Sequence, residues 1–402
     1  MAPISVADAL RRVLAHAEPL SPENVPLDDA NGRVLARDLT ALRTQPPADV
    51  SAMDGYAVRT ADVADAPVYL KVIGEVAAGR PFAAAVGPGE TVRIFTGGVI
   101  PAGADTVVVQ ESANREADRV EVLKPATKGR HIRKEGLDFR RGESLFARGH
   151  RLTARDLALL AGMNHPLVTL HRRPKIALFA TGDELVPPGT EPVPGQIVYS
   201  NGFALAALAR QEGAVVTDLG LVGDTMEATI VAIRRARDIP ADILVTTGGA
   251  SVGDYDFVHK AFAAEGMDLS FWKVAMRPGR PLMHGRLGDM HILGLPGNPV
   301  SSYVCALLFL IPLIRRMSGR ADLTIPVESA VLGCDLPAND EREDYLRASL
   351  RHGATGEVAT PFPTQDSSMM VPLARADCVI IREPYAPPAS AGSCCAIVKF
   401  EH

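Results

Sequence analysis

Ile243-Leu244-Val245-Thr246-Thr247-Gly248-Gly249-Ala250-Ser251-Val252-Gly253-Asp254-Tyr255-Asp256 is the stretch around which the chain is organised. An apolar, β-branched run passes into small residues and then into acids. That succession reads as a buried parallel strand delivering a glycine-rich loop at its carboxyl end. Glycine reaches positive φ without steric cost, so such a loop turns backbone N–H groups into a concavity suited to an anion. Asp254 and Asp256 are placed to hold a hard cation beside it. A plain tight turn after a strand has the same composition, so the neighbouring segments decide.

On the amino-terminal side the pattern alternates strand and helix. Lys175-Ile176-Ala177-Leu178-Phe179-Ala180 reads as a buried strand leading into Thr181-Gly182-Asp183-Glu184-Leu185. Tyr199-Ser200-Asn201-Gly202 precedes a helical segment over residues 203–212. A strand over 215–222 ends at Gly223-Asp224 and is followed by a helix to residue 236. Strands alternating with helices imply a mostly parallel sheet covered on both faces, with ligands at the carboxyl ends of its strands. Three of those ends carry acids: Asp183 with Glu184, Asp224, and Asp254 with Asp256. One acidic loop is an ordinary cap or turn, but several converging on one sheet edge suit a cation paired with an anionic substrate.

On the carboxyl side, Trp272-Lys273-Val274-Ala275-Met276-Arg277-Pro278-Gly279-Arg280-Pro281 forms a stiff turn carrying three cations. Gly294-Leu295-Pro296-Gly297-Asn298-Pro299-Val300-Ser301-Ser302 then opens an apolar helix. Pro299 suits its first position and leaves N–H groups free to face an oxyanion, with Lys273, Arg277 and Arg280 supplying charge. A capped core helix with surface cations is the alternative. The apolar run over 300–314 is shorter than the roughly 20 residues of a membrane span and reads as a core helix, so no membrane is expected. Beyond Gly319 short β segments return, pointing to a small β-barrel or sheet. There Glu343-Asp344-Tyr345-Leu346-Arg347 and Gln365-Asp366-Ser367-Ser368-Met369-Met370 are the polar stretches suited to reach another domain.

Toward the amino terminus, Ser5 caps a helix over residues 6–16, and a second capped helix is expected over 153–163. Between them, recurrent β-rich runs over 68–122 read as an inserted all-β domain. Ser51-Ala52-Met53-Asp54-Gly55-Tyr56-Ala57-Val58 precedes it, and Thr96-Gly97-Gly98 is a second glycine-rich loop. Lys128 to Lys134 with Arg140-Arg141 is the densest basic cluster and reads as a solvated face. The chain has 402 residues, 47% of them apolar, and a formal charge of −5. That length requires several domains, and that charge argues against general nucleic-acid binding. Its five cysteines form no zinc signature. An odd number without a secretory signal points to a reducing cytoplasm and small buried thiols.

In this order and spacing, the motifs from Ser51 to Val58, Phe95-Thr96-Gly97, Thr181 to Leu185, Gly248 to Asp254, Pro278 to Pro281 and Leu295 to Pro299 resemble the molybdopterin molybdenumtransferase family. That family includes the bacterial molybdenum-insertion enzyme and the E domain of gephyrin. The resemblance implies an elongated homodimer of multidomain α/β plus all-β chains. Its units are a helical linker domain (1–44 and 141–171), an inserted β domain (45–140), an α/β molybdopterin-binding domain (172–323) and a C-terminal β-barrel (324–402). The implied reaction takes adenylylated molybdopterin and molybdate, cleaves the anhydride and releases AMP with the cofactor, using Mg²⁺. By matched motif, Asp183, Glu184, Asp224 and Asp256 handle the cation or position the reacting phosphate. Thr181, Gly182, Ser200, Asn201, Gly248, Gly249 and Ser251 line the pterin phosphate site, with Lys273, Arg280, Pro296, Gly297, Asn298 and Pro299 also at the substrate. Arg277, Pro278, Ser301, Arg347 and Ser367 look like the molybdate pocket. Asp54, among the catalytic set, and Thr96 come from the partner subunit.

Two departures from the family pattern stand out. Arg277 and Arg280 replace residues that are often lysine, turning a point charge into a planar fork. Glu135 and Leu137 replace residues that are often basic and acidic, so the basic loop is assigned no contact. The expected partners extend to the molybdopterin adenylyltransferase and molybdoenzyme chaperones. Two other functions share parts of the pattern: a nucleotide pyrophosphatase built on the α/β domain, and a gephyrin-like binding scaffold.

Overall fold

The computed structural model describes residues 2–248, 257–353 and 356–400. Helix α1 (Val6–Leu14) is capped by Ser5, whose hydroxyl accepts from the Asp8 N–H at 3.1 Å. Its buried face, Val6, Ala9 and Val13, packs into the α/β core, so the first helix belongs physically to that unit. The linker built from two separated segments pairs Pro22–Pro26 with Leu167–His171 and Leu39–Thr40 with Ser144–Phe146. Helix α2 (Ala154–Gly162) completes it, with Leu35, Leu160 and Leu170 fully buried beneath. The basic loop offers a solvated salt bridge, Lys134 to Asp49 at 2.7 Å.

The inserted domain is a six-stranded sheet of β1 (Gly55–Val58), β2 (Val68–Val76), β3 (Glu90–Ile94), β4 (Thr106–Val109), β5 (Ala113–Glu116) and β6 (Arg119–Val122). Its order is β4-β1-β3-β2-β6-β5, with only β2 and β3 parallel.

The α/β unit contains β7 (Lys175–Thr181), α3 (Asn201–Gln211), β8 (Val215–Val222), α4 (Met226–Asp238), β9 (Ile243–Thr247), α5 (Phe257–Ala264), β10 (Asp268–Trp272), β11 (Met276–Arg277), β12 (Met283–Leu287), β13 (Met290–Leu295) and α6 (Pro299–Met317). Its sheet runs β8-β7-β9-β13-β12-β10, the first four strands parallel and the last two an antiparallel edge. Alternation assigns the faces: Ile176, Leu178 and Val245 pack with α1, α3 and α6, while Ala177, Phe179 and Leu244 pack with α4 and α5. Both faces are covered, which is why β9 is buried at every residue and reads as an unbroken apolar run. Helix α6 is long and apolar enough to cross a membrane, but 83% of its apolar window is buried, as a core helix requires. A π-helical turn at Ala306–Leu310 precedes Pro312, which has no N–H to continue the ordinary ladder.

The carboxyl-terminal strands β14 (Glu328–Leu332), β15 (Glu343–Gly353), β16 (Gly356–Pro361), β17 (Cys378–Arg382) and β18 (Cys394–Lys399) close into a ring, β15-β16-β14-β18-β17-β15. This is a five-stranded barrel, joined by helix α7 (Met370–Ala374). Strand β11 leaves the α/β unit and pairs with the start of β15, Arg277 opposite Asp344, bringing the cationic turn against the barrel. Cys305 and Cys378 are buried, as expected for small apolar thiols, but Cys394 is exposed on β18.

Candidate active site

The ends of the neighbouring strands β7, β9 and β13 make a floor of bare backbone. Gly248 has φ +86°, and a Cβ there would meet the Thr181 carbonyl oxygen at 2.2 Å. Gly182 has φ +151°, and its Cβ would lie 2.8 Å from a Glu184 carboxylate oxygen. Gly297 lies beside Gly248, where a Cβ would sit in ordinary contact, 3.6 Å from Gly248 Cα. Above this floor lies a cleft of about 560 Å³, the size of a small-molecule site. Thr181, Glu184 and Asp224 line it from the sheet. Arg277, Pro278 and Arg280 line it from the cationic turn, Ser301 from α6, and Arg342 and Ser367 from the barrel.

The acids are fixed by the backbone. The Asp183 N–H donates to Asp224 Oδ2 at 3.2 Å, and the Asp224 N–H donates to Asp183 Oδ1 at 3.1 Å. Burial, followed by the charges of Asp183 and Glu184, raises the Asp224 carboxyl above its ordinary range, against the pull of the Asp183 N–H. Thr181 Oγ1 is buried near Asp224 without a well-formed hydrogen bond. Among the described residues, no three His, Cys, Asp or Glu side chains gather as a metal cage.

Two of the three cleft arginines are paired. Arg277 donates through Nε to Asp344 at 2.8 Å and through Nη2 to Asp340 at 2.9 Å. Arg342 donates through Nη2 to Asp340 at 2.6 Å. Arg280 is exposed and makes no ion pair among the described residues. The barrel loop carrying Ser367 docks on the start of α6, where Asn298 Nδ2 donates to Ser367 Oγ at 2.8 Å and the Val300 N–H donates to the Ser367 carbonyl at 3.1 Å. One helix N–H expected to face an oxyanion is therefore already engaged by the barrel.

Thr181, Gly182, Glu184, Asp224, Gly248, Arg277, Pro278, Arg280, Pro296, Gly297, Asn298, Ser301 and Ser367 share the cleft. Asp183 stands behind it, bonded to Asp224. Ser200, Asn201 and Pro299 line a separate, mostly apolar cavity of about 350 Å³ beside it. Asn201 ties the two together by donating from Nδ2 to the Gly297 carbonyl at 2.7 Å.

Two of the predicted residues lie off the cleft wall. Lys273 lies outside the cleft lining: its backbone pairs with Leu282 and Ile4, on the side of the turn facing the start of the chain. Arg347 is not at the cleft wall but 1% exposed, donating to Gln365 Oε1, the Met369 carbonyl and the Thr364 carbonyl. It holds the Ser367 loop from behind. Asp54 and Thr96 pair with each other, the Thr96 N–H and hydroxyl donating to Asp54 Oδ1 at 2.7 and 2.8 Å, but the inserted domain contributes nothing to this cleft. Gly249, Ser251 and Asp256 lie outside the described residues. Sequence reading missed Arg342; its one signal was a lone cation amid Glu341, Glu343 and Asp344.

Three family models match in succession: the MoeA N-terminal region (domain I and II) over residues 4–163, a probable molybdopterin binding domain over 177–316, and the MoeA C-terminal region (domain IV) over 329–400. A molybdopterin molybdenumtransferase of Nostoc sp. is 41% identical over 336 residues, covering 82% of this chain and 77% of that protein. One of Bacillus subtilis is 36% identical over 388 residues, covering 94% and 90%. A crystal structure of a molybdopterin biosynthesis MoeA protein from Pyrococcus horikoshii superposes with a TM-score of 0.86 at 30% identity, covering 100% of both chains. With identity at this level along nearly its whole length, the chain belongs to the molybdopterin molybdenumtransferase family.

Proposed function

We propose that the cleft between the sheet edge and the barrel is where this chain, a molybdopterin molybdenumtransferase of molybdenum cofactor biosynthesis, brings molybdate to adenylylated molybdopterin, with cleavage of the anhydride and release of AMP. The observation that carries the reading is that carboxylates and guanidinium groups line one cleft floored by glycine backbone. A phosphoric anhydride needs close backbone approach and charge compensation, and an oxometalate needs preorganised donors.

Glu184 and Asp224 fit a hard divalent cation such as Mg²⁺. Burial first, then the charges of Asp183 and Glu184, raises the Asp224 carboxyl, and a bound cation offsets both. Mg²⁺ also takes one or two carboxylates and completes its shell with water and phosphate, so a full protein cage is not required. Bound there, the ion supplies neutralisation of phosphate oxygens. Thr181 Oγ1, buried beside Asp224, is placed to donate to a phosphate oxygen, while Arg277, Arg280, Arg342, Ser301 and Ser367 orient the oxyanion. Asp256, Gly249 and Ser251 keep the roles implied by the family motif.

We also infer a homodimer in which Asp54 and Thr96 of one protomer complete the cleft of the other. The half-buried Asp54 carboxyl is held below its usual range, chiefly by the Thr96 N–H and hydroxyl, so it is ionised at neutral pH. Free cysteines throughout suit a cytoplasmic setting, where an adenylyltransferase supplies the substrate and chaperones of molybdoenzymes receive the product. The test is reconstitution from purified protein, adenylylated molybdopterin, Mg²⁺ and molybdate. Formation of active cofactor supports the reading; hydrolysis of free dinucleotides without molybdate dependence overturns it.

A further inference from the structure

We propose that Asp340 is a built-in competitor for the oxyanion. Its carboxylate occupies guanidinium donors that a tetrahedral dianion takes over on binding, and it thereby sets the cleft's preference for doubly charged anions. The inference rests on the reading of this cleft as an oxyanion site.

Asp340 Oδ2 accepts from Arg277 Nη2 at 2.9 Å and from Arg342 Nη2 at 2.6 Å, while Oδ1 accepts from the Arg342 N–H at 3.0 Å and from Arg342 Nε at 3.3 Å. Arg277 and Arg342 line the cleft, but Asp340 does not. With Asp344 on Arg277 Nε, these two cations and two carboxylates sum to zero, so an entering anion meets charge already spent. The two bonds to Arg277 are separable. Asp344 is buried and stays on Nε, whereas Asp340 holds only an Nη group, and the side chains of Arg277 and Asp340 are 47% and 36% exposed.

A guanidinium fork binds a carboxylate or a tetrahedral oxyanion through the same paired donors. A single negative charge on Asp340 therefore yields to molybdate, with two, but holds against a monoanion. Protonation does not lift the competitor at working pH, because the Arg342 side chain and N–H hold the Asp340 carboxyl down at about 2.

The test is isothermal titration of the full-length protein and Asp340→Asn with molybdate and, separately, nitrate, with thermal melts confirming that both are folded. Freed from a partly exposed ion pair, the variant is expected to bind molybdate about fivefold tighter and to gain measurable nitrate binding. Equal or weaker molybdate binding by the folded variant overturns the inference and makes Asp340 an orienting residue for the arginines. Molybdate binding by neither protein overturns the oxyanion reading of the cleft itself. Should Asp340→Asn fail to fold, Asp340→Ser removes the same charge and is read by the same outcomes.

Discussion

Gly248 shows how little room single residues of the site have. Gly248→Ala combines a disfavoured backbone with a Cβ 2.2 Å from the Thr181 carbonyl, so the strand ends must part. It is expected to cost about 2 kcal/mol or more in urea unfolding and to lower AMP release with it. That glycine was legible because only glycine turns so sharply after a buried strand. Lys273 and Arg347 were not legible as they are used. Lys273 is four residues from Arg277, yet its backbone pairs with Ile4 and Leu282 and it does not line the cleft, and spacing cannot report that. Arg347 lies on a strand whose alternation does not say which face is the barrel interior. Because its guanidinium satisfies Thr364, Gln365 and Met369, Arg347→Lys is expected to loosen the Ser367 loop and raise KM for molybdate more than it lowers kcat, a split that steady-state kinetics reads.

The antiparallel edge of the α/β sheet carries a pH liability of its own. His284 on β12 and His291 on β13 are each 2% exposed, with Nε2 and Nδ1 3.4 Å apart. Burial first, then neighbouring cationic charge, pushes them down to about 3 and about 4 from an ordinary 6.5. The unfolded chain therefore binds these protons more readily than the folded one. Stability is whole above pH 6.5 and is lost as pH falls toward 4, by up to about 1.4 kcal/mol per pH unit for each imidazole. Denaturant unfolding at pH 7 and pH 5 measures this, and replacing both with leucine is expected to flatten the difference. This edge, with β16 of the barrel, was the least legible part of the fold. β7 and β9 announce themselves as apolar runs because helices cover both faces. β16 reads Gly-Glu-Val-Ala-Thr-Pro, with only Ala359 fully buried, and gives composition nothing to show. The closing of the barrel, and Arg342 at its mouth, come from long-range pairing that local sequence does not encode.

At the scale of the whole molecule, the cleft joins two units, sheet and barrel, and the dimer reading adds a third from a second chain. An Asp54→Ala chain and an Asp224→Asn chain, each inactive alone, are expected to recover about a quarter of wild-type activity when refolded together. Half the dimers are mixed, and each mixed dimer holds one intact site. No recovery in verified mixed dimers places Asp54 outside the shared site. The most direct measurement on the cleft is AMP release from adenylylated molybdopterin by wild type and by Asp224→Asn, with molybdate and Mg²⁺ each added or withheld. Wild type is expected to release AMP only when both are present. The variant, relieved of a charge that burial disfavours, is expected to melt no lower than wild type yet release AMP at least about a hundredfold more slowly. A folded Asp224→Asn that releases AMP at the wild-type rate contradicts the reading of this cleft as the site of reaction.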